Sequence, residues 1–101
     1  MKYLLSGWGW GMPQPESGIM VYHTLSEEEF KIQRIGAVSC IGNPAVARIL
    51  NAPFNNSYIT LKPGDTAIVI YADGGKIPYN ATSLPKGVTF GYKYVKILEE
   101  I

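Results

Sequence analysis

Asn43-Pro44 fixes a helix start more tightly than any other dipeptide in this chain, directly after Val38-Ser39-Cys40-Ile41-Gly42. An asparagine at the N-cap offers its side-chain oxygen to the amides of the first turn. A proline at the first helical position loses nothing, because its missing N–H would be unpaired there anyway. Ala45, Val46, Ala47, Ile49 and Leu50 follow as an apolar face at roughly helical spacing, and Pro53 ends the run. The stretch therefore predicts a strand end, a tight glycine turn and a helix from Pro44 to about Asn51. Such a junction points backbone N–H groups and the positive end of the helix dipole outward, which suits a phosphate or carboxylate. The same pattern also serves as an ordinary strand-to-helix corner.

The remaining segments supply a sheet for that helix. Tyr3-Leu4-Leu5 and Ile19–Leu25 read as strands, separated by a loop with three glycines, two tryptophans and two prolines between Ser6 and Pro15. Ser26 and Glu29 have the spacing of a capping box, and Glu27, Glu28 and Glu29 suit a first helical turn, so a helix from about Glu27 to Gln33 is expected. Ile35–Ile41 reads as a strand entering the glycine turn. Tyr58–Leu61 and Thr66–Tyr71 flank Lys62-Pro63-Gly64-Asp65 and read as a hairpin, the second arm apolar enough to be covered on both faces. Residues 77–87 read as loop. Val88–Ile97 alternates as a final strand, with Phe90, Tyr92 and Tyr94 on one face. The expected architecture is a single α+β domain over residues 1–101: one mixed or mainly antiparallel sheet of five to six strands with one or two short helices.

Charge and composition narrow the partners. Nine Lys+Arg against eight Asp+Glu leave a formal net charge of +1, unlike a protein that grips duplex nucleic acid by its backbone. A small anion needs only a local cluster of donors. No stretch approaches the ~20 apolar residues of a membrane span, and the start lacks a secretory apolar region. With one cysteine, no internal disulfide can form. These features lead us to expect a cytoplasmic protein with no membrane partner.

Few side chains here can do chemistry. There is no hydrolase triad, phosphate-binding loop or zinc signature. His23 and Cys40 are the only histidine and cysteine. Each is weighed as a catalyst against a structural role in a strand. The adjacent glutamates fit a solvated helix start better than a metal site, and no metal or cofactor is expected. Arg34 and Arg48 are candidate phosphate ligands or surface residues, and Lys76 is a loop cation that glycines free to reach inward. Trp8 and Trp10 offer flat faces for stacking on a base, or bulk for the core.

The run Ser26-Glu27-Glu28-Glu29-Phe30, the turn Val38-Ser39-Cys40-Ile41-Gly42-Asn43 into a helix, and Ile59–Val69 with its Gly64-Asp65 turn together resemble the viral anti-CRISPR ring nucleases of archaeal viruses and phages. The resemblance implies a small α+β homodimer that binds a cyclic oligoadenylate second messenger in a pocket across the subunit interface. The departures bear on chemistry. Asn43 stands where the family has its catalytic histidine, and an amide is neither acid nor base near neutral pH. The family's arginine before the Gly-Asp turn falls on Asn56. Its arginine and glutamate after the apolar strand have no counterpart in Asp73-Gly74-Gly75-Lys76.

The expectation is therefore a homodimer that sequesters a nucleotide-derived immune signal, of cyclic oligonucleotide or cyclic ADP-ribose type, without cleaving it. Its ligand-binding residues would be Trp8, Trp10, Ser39, Gly42, Asn43, Pro44, Ala45, Asn56 and Lys76. Two alternatives stand beside it. One is a divergent ring nuclease or lyase using His23, Tyr22 or Cys40. The other is a small viral interaction protein with no small-molecule ligand.

Overall fold

The computed structural model describes residues 1–6, 15, 17–57 and 59–100. Seven elements follow one another: β1 (Lys2–Ser6), β2 (Ile19–Leu25), α1 (Glu27–Gln33), β3 (Val38–Cys40), α2 (Pro44–Leu50), β4 (Thr66–Asp73) and β5 (Thr89–Leu98). The strands form one mixed sheet in the order β2-β5-β4-β1-β3. β1 runs parallel to both β3 and β4, whereas β5 runs antiparallel to β4 and β2. The expected α+β class, with two helices on one mixed sheet, is what the chain adopts.

Local signals place both helices. Ser26 accepts the Glu29 N–H at 3.1 Å while Glu29 accepts the Ser26 N–H at 3.0 Å, closing the capping box that starts α1. Asn43 caps α2 and Pro44 opens it. Asn51, at φ 53, ends it in the left-handed conformation that asparagine tolerates. Arg34 joins the two helices: its guanidinium donates to the Leu50 carbonyl at 3.0 Å and lies 5.4 Å from the Phe30 ring centroid.

The sheet is covered on both faces. On one, Leu4, Ile41, Ile68, Ile70 and Tyr92 pack with Phe30 of α1 and Val46 and Ala47 of α2. Phe30 and Tyr92 stack with ring centroids 4.0 Å apart and an interplanar angle of 10°. Phe90 and Tyr94 join this cluster, as the alternation of the last strand implies. On the opposite face Leu5, Cys40, Ala67, Val69, Val95 and Ile97 pack with Leu61.

Two expectations change. Residues 59–61 form no strand and no hairpin with Thr66–Tyr71; Tyr58 lies outside the described residues. The physical reason is that β4 has no free edge, since β1 pairs with one side of it and β5 with the other. Ile59–Leu61 instead lies across the second face, with Leu61 1% exposed. The intervening turn forms as its sequence dictates, with Gly64 at φ 93 and the Asp65 N–H donating to the Lys62 carbonyl at 2.9 Å. The strand expected over Ile35–Ile41 shrinks to Val38–Cys40, because Gly36, at φ 78, and the Ala37 N–H bonded to the Arg34 carbonyl finish the helix exit first.

Candidate functional site

Because β1, β3 and β4 are mutually parallel, their carboxyl ends lie together. That end collects Ser6 and the Gly42–Asn43 junction, whereas β4 runs on to Asp73 and the exposed Lys76 follows three residues later. In open sheets the crevice outside the carboxyl ends of parallel strands is where ligands commonly sit.

The chain returns to this corner after α2. Ile41 makes a parallel bridge with Phe54, and the Asn55 N–H donates to the Ile41 carbonyl at 3.0 Å. Asn55 Nδ2 donates to the Ser39 carbonyl at 3.0 Å, Ser39 Oγ donates to the Pro53 carbonyl, and Ser57 Oγ donates to Asn55 Oδ1. Segment 53–57 is thereby fixed against β3 and carries Asn56 onto Gly42. A Cβ built on Gly42 would lie 2.7 Å from Asn56 Oδ1. Glycine here lets the Asn56 side chain approach closely and is not serving an unusual φ.

The amides expected to cradle an anion are engaged by the protein itself. Asn43 Oδ1 accepts from the N–H groups of Ala45 at 2.9 Å and Val46 at 3.2 Å, and the Gly42 N–H donates to Ser6 Oγ at 3.2 Å. Ala45 is fully buried and Pro44 has no N–H, so neither offers a polar group to a ligand. What the corner presents outward is side-chain amide. Asn43 Nδ2 has no partner among the described residues, and Asn56 is exposed.

The structure thus brings Ser39, Gly42, Asn43 and Asn56 together and adds Ser6, Asn55 and Ser57. Trp8 and Trp10 lie outside the described residues. Asn55 and Ser57 were not among the residues the sequence pointed to. The density of short amide and hydroxyl side chains in Asn55-Asn56-Ser57 was the available signal, since such side chains bond nearby backbone and pin loops. Two concavities among the described residues lie elsewhere. One, of about 560 Å³, is bordered by Tyr3, Ile59, Thr60 and Asp65. The other, of about 520 Å³, is bordered by Glu27, Ile49, Leu84, Phe90 and Tyr92.

The other candidate groups have structural work. Cys40 faces the second sheet face, 8% exposed, and burial pushes its thiol pKa up, opposite to what a nucleophile needs. His23 is exposed on β2, its ring centroid 5.5 Å from that of Tyr94. Arg48 donates to the carbonyls of Tyr79 and Ala81, holding residues 78–81 against α2. Glu29 completes the capping box, and Glu27 lies 4.0 Å from Lys31. Among the described residues no three His, Cys, Asp or Glu side chains converge as a metal site. Nor, among them, is any helix long and apolar enough to cross a membrane.

An α+β domain with a neutral polar corner at its parallel strand ends is the class that fold and site define. Comparison with the known protein families finds no match, and comparison with curated proteins finds no relative.

Proposed function

We propose that this chain is a homodimeric binding protein that sequesters a nucleotide-derived signal of cyclic oligonucleotide or cyclic ADP-ribose type. In that role it would counteract or tune prokaryotic antiviral signalling from the cytoplasm of the host cell. One observation carries the reading. The corner at the ends of β1 and β3 is built from Ser6, Ser39, Gly42, Asn43, Asn55, Asn56 and Ser57, all neutral hydrogen-bonding residues packed around a glycine.

Amide and hydroxyl groups bind phosphate oxygens and base edges without being able to take or give a proton near neutral pH. Cleavage of a phosphodiester needs proton transfer, or a metal or cation poised on the developing charge. The groups assembled at this corner supply hydrogen bonds alone. Holding is the activity they favour.

Isothermal calorimetry of the purified protein against cyclic oligoadenylates, cyclic dinucleotides and cyclic ADP-ribose isomers tests the reading. Binding of one of them, followed by heat release and chromatographic recovery of the intact molecule, supports it. Failure to bind any of the three classes rejects it, and recovery of an altered ligand rejects sequestration in favour of catalysis.

A further inference from the structure

The cleft at the start of β5 shares no lining residue with the Asn43 corner. Alternation turns Phe90 and Tyr92 of β5 toward the helices. Arg48 holds the Tyr79 and Ala81 carbonyls against α2, and further along the same loop Leu84 borders the cleft together with Ile49. The cavity measures about 520 Å³, in the range of small-molecule sites, and more of its wall is apolar than polar. The Phe90 and Tyr92 rings are tilted by 51° with centroids 6.4 Å apart, making a corner instead of a flat wall. Glu27 is the one charged residue that borders the cleft among the described residues. Its carboxylate meets only Lys31, at 4.0 Å, with both side chains exposed. A pair that long and that wet holds little, so the carboxylate is available to a ligand.

We propose that this cleft binds an arylalkyl ammonium ion, whose ring packs against Phe90, Tyr92, Ile49 and Leu84 and whose ammonium meets the Glu27 carboxylate. The site goes beyond the nucleotide reading, because a lone carboxylate at its border repels a phosphate. Charge decides the occupant. A neutral or anionic apolar molecule leaves Glu27 unmatched, whereas a cation is drawn both to the carboxylate and to the faces of the aromatic rings. The neighbouring cations do not compete for that place. Arg34 donates to the Leu50 carbonyl, and Lys93, on the opposite face of β5, donates to Thr24 Oγ1 at 2.7 Å. The Tyr92 hydroxyl has no hydrogen-bond partner among the described residues. Burial, and then the charge of Glu27, raise its pKa above 10.0, so it borders the cleft as a neutral group able to accept an ammonium N–H.

The test follows backbone amide shifts of the full chain by NMR while phenethylamine, phenethyl alcohol or hydrocinnamate is added at neutral pH. These three share a ring and differ in charge. Saturating shifts confined to residues 24–27, 84 and 89–92 are expected, with the amine binding about tenfold more tightly than the alcohol and the carboxylate weakest. Glu27→Gln is expected to erase the preference for the amine. Glu28→Gln makes the same charge change on a residue that does not border the cleft and is expected to keep it. Equal affinity for amine and alcohol overturns the inference, as do shifts centred elsewhere, an equal loss in both variants, or no saturation at all. The series on the unmodified protein decides the matter even where a variant fails to fold.

Discussion

Asn56 Oδ1 sits 2.7 Å from the point a Cβ would occupy on Gly42, so the loop after α2 and the turn before it share one small volume. The approaching atom is the end of an exposed, flexible side chain, and Gly42 has no positive φ. Gly42→Ala is therefore expected to fold with a stability loss within about 0.5 kcal/mol, as for an ordinary surface change. Asn56 must swing away, however. A drop of about tenfold or more in affinity for the nucleotide identified by calorimetry is expected, and unchanged affinity would remove Asn56 and Gly42 from the site.

Asn43 does two jobs that substitution separates. Its Oδ1 caps the Ala45 and Val46 amides, and its Nδ2 has no partner among the described residues. Asn43→Ala is expected to cost about 1 kcal/mol of stability, the usual penalty for losing a cap, and about 4 °C or more in melting temperature. Asn43→Asp keeps the cap and complements the helix dipole, so its stability is expected to match the parent. Both variants lose the outward N–H donors. Parallel loss of ligand binding with divergent stability is the expected pattern in paired melting and calorimetry experiments.

Leu61 is 1% exposed although it lies in no strand. It closes the second sheet face against Leu5, Ala67, Val69 and Val95. Truncating it leaves a cavity there, and Leu61→Ala is expected to lose about 2–5 kcal/mol in urea unfolding. Ile35, 73% exposed, provides the contrast: Ile35→Ala is expected to change stability by less than about 0.5 kcal/mol.

That contrast marks how far the sequence could be read. Local signals were decisive where the chain satisfies its own backbone: Ser26 with Glu29, Asn43 with Pro44, and Pro63-Gly64 at the turn before β4 each did what their residue types require. The alternation that put Phe90, Tyr92 and Tyr94 on one face also held. Pairing was not legible, because it depends on which edges distant strands have already taken. Nothing in Ile59-Thr60-Leu61 says that β1 and β5 occupy both sides of β4. At the candidate site, Gly42 and Asn43 were visible as a turn and a cap. The engagement of their amides by Ser6 and by Asn43 itself was not visible, since a hydroxyl from β1 reaches Gly42 only once the parallel pairing forms.

Arg34 links the helices through the Leu50 carbonyl and the Phe30 ring. A charged donor on a helix C-terminal carbonyl is worth about 1.5–3 kcal/mol, so Arg34→Ala is expected to lower stability by about 1–2 kcal/mol after solvent access is allowed for. Faster amide exchange in residues 48–52 than elsewhere in α2 is the accompanying signature. Uniform exchange would show that α2 does not depend on this tie.

Stability is expected to fall off on both sides of neutrality for separate reasons. The Glu29 carboxyl is held below its ordinary pKa of 4.5, first by the Ser26 backbone N–H and then by its hydroxyl. Asp65 is held below 3.8, chiefly by the Lys62 N–H, with the Met1 amino group adding to it. For both, the unfolded chain binds protons more readily, so their contribution is full above the ordinary values and fades as pH drops through the depressed ones. Burial acts the other way on Tyr92 and Cys40, raising their pKa above 10.0 and 9.0; Glu27 adds to the effect on Tyr92. Their contribution is full below those ordinary values and is lost as pH rises through the raised ones. Urea midpoints measured across pH should therefore decline below about pH 4.5 and again above about pH 9. Glu29→Gln keeps an acceptor for the Ser26 N–H but cannot titrate. It is expected to leave the midpoint at pH 7 nearly unchanged while flattening the acid limb, and an acid limb as steep as the parent's would assign that loss to other carboxylates.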